Sequence, residues 1–78
     1  MAIIEKIIDI IKLEVDDEHK DVEITADTDL KDDLYFNSLN IVVVINEIEE
    51  EYDIQFDYNE IQNVRTVKEI VNMINKLL

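Results

Sequence analysis

The sequence contains no cysteine, no glycine and no proline in its 78 residues. Without cysteine there is no disulfide, no thiolate metal site and no side-chain thiol nucleophile, so a secreted disulfide scaffold is excluded and stability has to come from packing. Without glycine or proline the chain lacks the residues that tight hairpins most often use, so a fold of many short strands is disfavoured and a helical one is expected. Basic residues are scarce too: seven Lys plus Arg stand against twenty Asp plus Glu, a net charge of −13 with His neutral. Such a charge repels nucleic-acid phosphates and anionic headgroups and draws the chain to proteins with basic patches. The start, Met-Ala-Ile-Ile-Glu-Lys, has neither a signal-peptide pattern nor a run of transmembrane length, so no membrane insertion is expected and a cytoplasmic location is. What is present is a 47% apolar content, too high for a disordered acidic tail. The length suits one small domain over residues 1–78, and the net charge favours a monomer.

The apolar pattern supplies the elements. Ile4, Ile7, Ile8, Ile11 and Val15 recur at helical spacing with Glu5, Lys6, Asp9 and Lys12 opposite, which predicts a helix over 2–15. Ile10 and Leu13 fall off that stripe, so the apolar face is broad or partly exposed. Residues 16–37 have no strong period. A connection of that length far exceeds the usual ~4–6 residues and is expected to be pinned by apolar anchors, here Ile24, Leu30 and Leu34. Ile41, Val44, Ile45, Ile48 and Tyr52 share one narrow face of a second helix over 38–52. Asp57 and Glu60 have the spacing of a capping pair for a short helix over 57–63. Thr66 and Glu69 form a capping box ahead of Val67, Ile70, Val71, Ile74 and Leu78, so a last helix runs to the C-terminus. The expected fold is all-α: a small four-helix bundle of three main helices and one short one, with a long loop between helices 1 and 2.

Ser38 stands where the long loop meets the second helix. A serine there caps a helix by accepting from an orphan backbone N–H. The same place suits a serine that carries a phosphodiester, because free N–H groups and the positive end of the helix dipole face an anion. Leu39, Val42 and Val43 lie opposite the core stripe of that helix, with Asn46 and Glu50 continuing their side and Glu47, Glu49 and Glu51 nearby. An apolar patch rimmed by carboxylates is the form of a docking surface; the competing reading is a helix buried on two sides. Asp27-x-Asp29-x-Lys31 begins like a calcium loop but puts Lys at the fifth position, Asp32 where glycine is needed and Ser38 where the bidentate Glu belongs, so no metal site is expected. His19 reads as a solvated loop residue, and Phe36 as facing the core.

The stretch Asp33-Leu34-Tyr35-Phe36-Asn37-Ser38-Leu39, leading into Glu49-Glu50-Glu51-Tyr52-Asp53 and followed by Thr66-Val67 at the start of the last helix, resembles the acyl carrier proteins. The resemblance runs along the whole chain in length, acidity and element order. It implies that Ser38 receives 4′-phosphopantetheine covalently from coenzyme A through a phosphopantetheinyl transferase, and that the thiol of the arm then holds acyl groups as thioesters. A chain without cysteine can handle thioesters only if the sulfur comes from outside. An unmodified serine hydroxyl is a poor nucleophile without an adjacent base, so the base and any Mg²⁺ belong to the partner, and this chain is a carrier with no active site of its own. The resemblance further implies that Asn37 and Leu39 flank the attachment point. Val42, Val43, Asn46, Glu47 and Glu50 then meet acyl-processing enzymes that bear basic patches.

The chain departs from the family pattern at four positions. Asn37 stands for the usual Asp, Asn40 for a common acidic residue, and Val43 where glutamate is frequent in fatty-acid carriers. The start of the second helix is therefore less negative and more apolar than usual. Tyr35 replaces the customary Gly, so an easy positive φ is not expected there. A specialised lipid or polyketide pathway fits these departures as well as general fatty-acid biosynthesis does. An aminoacyl or peptidyl carrier, and an acidic helical interaction module in which Ser38 is only a helix cap, are the alternatives.

Overall fold

The structure, a computed structural model, describes residues 2–78. Its elements are α1 (Ile3–Glu14), a 3₁₀ turn at Asp17–His19, α2 (Ser38–Tyr52), α3 (Tyr58–Gln62) and α4 (Val67–Leu77). Among the described residues there is no strand, only an isolated bridge between Asp29 and Thr66. The expected bundle of three main helices and a short one is what forms. No helix of the described residues is long and apolar enough to cross a membrane.

The helix ends follow from local chemistry. The α4 capping box is present, with Glu69 N–H donating to Thr66 Oγ1 at 3.3 Å and Thr66 N–H to Glu69 Oε1 at 3.2 Å. Asp57 caps α3, although its carboxylate accepts from Asn59 N–H at 2.9 Å and not from residue 60. With no glycine available, α2 is closed by Asp53 in the left-handed region (φ 53°), its N–H donating to the Glu49 carbonyl.

The core is aliphatic. Ile7 and Ile11 of α1, Val44, Ile45 and Ile48 of α2, and Val67, Ile70 and Ile74 of α4 are all essentially fully buried. Helix α1 packs against both α2 and α4, and this settles the ambiguity of its apolar face. Facing two neighbours widens the buried arc to include Ile10, leaves Ile4 and Ile8 half-buried, and keeps Leu13 in solvent.

The long loop folds back onto the helices, and the 11.5 Å radius of gyration is that of a chain of this length at ordinary density. Leu30 and Leu34 are buried as anchors, and Ile24 is half-buried. Phe36 is buried, in agreement with its core-facing reading. Backbone bonds fasten the same loop to the approach to α4: Leu30 N–H to Arg65 O at 2.7 Å, Val67 N–H to Thr28 O at 3.2 Å and Lys68 N–H to Ala26 O at 2.9 Å. Arg65 adds ion pairs to Asp29 and Asp32, both at 3.1 Å. The buried Thr28 hydroxyl accepts from Thr25 N–H at 2.7 Å, so its burial leaves no unsatisfied oxygen.

Candidate functional site

Ser38 is the first residue of α2 and is exposed. Its reading as a helix cap is corrected by the structure. The cap is Asn37, whose Oδ1 accepts from Asn40 N–H at 3.0 Å, while Asn40 Oδ1 accepts from Asn37 N–H at 3.1 Å. This reciprocal pair satisfies the orphan donors that a serine cap would have taken, so the Ser38 hydroxyl is not the group that closes the helix. Asn40 Nδ2 also donates to Glu14 Oε2 at 3.3 Å, tying the start of α2 to the end of α1. The first turn of α2 itself contains no acidic residue, so among the described residues the only carboxylate bonded to it is that of Glu14 from α1.

Phe36 and Leu34 set the position of this junction by burying themselves immediately before it. Between them Tyr35 adopts φ 59°, a positive φ at a position where no easy one is expected without glycine. The left-handed residue closes the turn that begins at Leu30, so that Phe36 N–H donates to the Leu30 carbonyl at 2.9 Å, and the Tyr35 ring lies outside against His19. His19 is accordingly not a simple solvated residue. It is half-buried, its Nδ1 donates to Asp16 Oδ1 at 2.6 Å, and that hydrogen bond holds the Asp16 carboxyl below the usual range.

The residues expected to form a docking face are brought to one side of α2. Leu39 is 71% exposed and Val42 44%, and Asn46, Glu47 and Glu50 are exposed as well. Val43 is half-buried, so the two-sided burial considered for this helix holds at that one position. Beside Ser38 opens a cavity of about 370 Å³ between α2, α3 and the long loop, lined by Ile41, Val42, Ile61 and Val64 with Lys31, Tyr58 and Gln62. Lys31, Tyr58 and Gln62 were not singled out by the sequence. Lys31 lies in an aperiodic loop and appeared only as the wrong residue in a calcium pattern. Asp29 of that pattern instead accepts from Lys31 and Asp32 N–H and pairs with Arg65. Its carboxyl is held below the usual range, chiefly by the Asp32 N–H.

The family profile described as "Phosphopantetheine attachment site" matches residues 2–74. The chain belongs to the acyl carrier proteins. Among curated relatives, an acyl carrier protein of Coprothermobacter proteolyticus is 34% identical over 56 residues, 72% of this chain and 68% of that one. One from Exiguobacterium sibiricum is 33% identical over 52 residues, 67% of this chain and 66% of that one. A solved Mycobacterium tuberculosis structure, classed as an acyl carrier protein, superposes with a TM-score of 0.85 at 33% identity and covers 96% of this chain and 97% of that one.

Acyl carrier proteins bear covalent 4′-phosphopantetheine, interact with acyl-processing enzymes, and are carriers, not enzymes. The residues present fit that group. An attachment point needs an accessible hydroxyl and room beside it. Ser38 is exposed, and a largely apolar cavity adjoins it.

Proposed function

We propose that Ser38 is the attachment point and that this single domain over residues 1–78 carries acyl intermediates for fatty-acid biosynthesis or a specialised lipid or polyketide pathway. The observation that carries the reading is the division of labour at the start of α2: Asn37 takes the capping role, which leaves an uncommitted hydroxyl at the mouth of the cavity. When bound, the group supplies a terminal thiol on which acyl groups are held as thioesters. In loading, the Ser38 oxygen bonds to phosphorus, the bond from phosphorus to the nucleotide part of coenzyme A breaks, and the serine proton passes to a base on the transferase.

This chain contributes position and recognition. The N–H groups of the first turn of α2 face the anionic phosphate. Asn37 and Leu39 flank the serine for the transferase, and Val42, Val43, Asn46, Glu47 and Glu50 meet acyl-processing enzymes with basic patches. Leu39 and Val42 give that contact an apolar centre, and Glu47 and Glu50 an ionic rim that weakens as salt screens it. The excess of carboxylates keeps copies apart as monomers in the cytoplasm.

The test is direct. The apo protein is incubated with coenzyme A, Mg²⁺ and a broad-specificity phosphopantetheinyl transferase and its intact mass is measured. A gain of one arm that is absent in Ser38→Ala supports the assignment; no gain in the unaltered protein, or an equal gain in Ser38→Ala, removes it.

A further inference from the structure

We propose that Lys31 is the positioning residue for the arm, its ammonium pairing with the phosphodiester on Ser38 and holding the near part of the arm over the cavity between α2 and α3. The inference rests on Ser38 being the attachment point and goes beyond it by naming the residue and the force that orient the arm.

The cavity beside Ser38 has one charged residue in its lining, and that residue is a lysine. In a chain with twenty acidic and seven basic residues this is against the composition. The acidic residues next to Lys31 in sequence are engaged elsewhere. Asp29 accepts from two loop N–H groups and pairs with Arg65, Asp32 pairs with Arg65, and Asp33 Oδ2 accepts from Asp29 N–H at 2.8 Å. Lys31 makes no ion pair among the described residues, whereas Lys6, Lys20 and Arg65 each do. The loop carboxylates are occupied by Arg65 and by loop N–H groups, and the exposed Lys31 is left at the cavity.

The backbone beneath Lys31 is fixed: its N–H donates to Asp29 Oδ1 at 2.9 Å, and the preceding Leu30 is fully buried. Only the four-carbon stem is free. A compact ammonium with rotatable donors suits an anion that itself turns about its ester bonds, because the pairing demands distance more than direction. A phosphodiester added to Ser38 brings one more negative charge to a strongly negative chain, and Lys31 is the cation bordering the cavity into which it would project.

The experiment compares fully loaded holo-protein, without cargo, of the unaltered chain and of Lys31→Gln, Lys31→Arg and Lys12→Gln. Lys12 borders a different cavity, with Val15, Lys20 and Ile24, and serves as the charge-matched control. The ³¹P resonance of the phosphodiester and its relaxation are followed from low to high salt. In the unaltered protein the resonance shifts as salt screens the pair. Lys31→Gln is expected to lose most of that shift and to show a more mobile phosphate already at low salt, with Lys31→Arg restoring both and Lys12→Gln leaving both unchanged. Identical ³¹P behaviour in fully loaded Lys31→Gln and unaltered protein overturns the role of Lys31 while leaving the attachment point standing. The comparison is then repeated with a dicarboxylic acyl group on the thiol, and an effect of Lys31→Gln that appears only in that second series overturns the role as well, by assigning the lysine to the cargo. Failure of the unaltered chain to load removes both readings together.

Discussion

The Tyr35 ring rests on the His19 imidazole, with centroids 4.5 Å apart and planes tilted by 36°. The contact explains how a bulky residue holds a left-handed conformation. A non-glycine residue at φ 59° carries roughly 1–2 kcal/mol of backbone cost, and an aromatic contact returns roughly 0.5–1.5 kcal/mol. The turn that brings Phe36 inward is thus held from outside by a residue of the preceding 3₁₀ turn.

Substitutions at Tyr35 should separate these two contributions. Tyr35→Ala keeps the backbone cost and loses the contact, so it is expected to destabilise by about 0.5–1.5 kcal/mol. Tyr35→Gly loses the contact but relieves the backbone, and should fall closer to the unaltered protein. Denaturant midpoints measure the difference; equal losses for both variants would mean that the left-handed turn carries no cost.

The Asp16–His19 hydrogen bond predicts a dependence on acid. The bond lowers the Asp16 carboxyl in the folded state, so its contribution to stability is complete above the unfolded carboxylate value of about 3.9 and is lost as pH falls through the lower folded value. In His19→Ala the Asp16 titration, followed by carboxyl ¹³C shifts, is expected to move upward to the ordinary range. An unchanged Asp16 midpoint would assign the lowering to the backbone N–H of the turn.

The start of α2 separates two neighbouring residues by role. Asn37→Ala removes the cap and should cost about 1 kcal/mol, which for a domain of this size lowers Tm by about 4–8 °C. Ser38→Ala touches no capping bond and should remain within about 0.5 kcal/mol of the unaltered protein. Calorimetry on the two apo variants distinguishes them, and the reverse order would return the cap to Ser38.

Phe36 is 6% exposed and two residues from the proposed attachment point. Phe36→Ala is expected to cost about 3–5 kcal/mol, a large fraction of the ~5–15 kcal/mol by which small domains are stable. Phe36→Leu retains most of the buried volume and should cost far less. A loss under 1 kcal/mol in the alanine variant, read from urea unfolding, would contradict the core placement.

Where apolar residues recur with a period, the sequence was sufficient: Ile41 to Tyr52 places α2, and the Thr66–Glu69 pair places the start of α4. The breadth of the α1 face is not legible from period alone, which does not say how many neighbours a helix has; α1 packs against both α2 and α4, and Ile10 is buried. In the loop there was no period to read. The roles of Tyr35, Lys31 and Thr28 depend on segments that meet only in the folded chain. The missed cap had a local signal, two asparagines three residues apart at Asn37 and Asn40, which stood outside the Ser/Thr-x-x-Glu form that was recognised at Thr66.

The bonds joining Ala26, Thr28 and Leu30 to residues 65–68 impose an order of assembly. On the ribosome, Ser38 emerges well before the segment that clasps the loop leading to it, and closing so distant a contact has to await that later stretch. The entrance beside the serine therefore acquires its shape only once residues 65–68 have emerged, so a nascent chain exposes the hydroxyl before it offers a finished surface to any enzyme that would modify it.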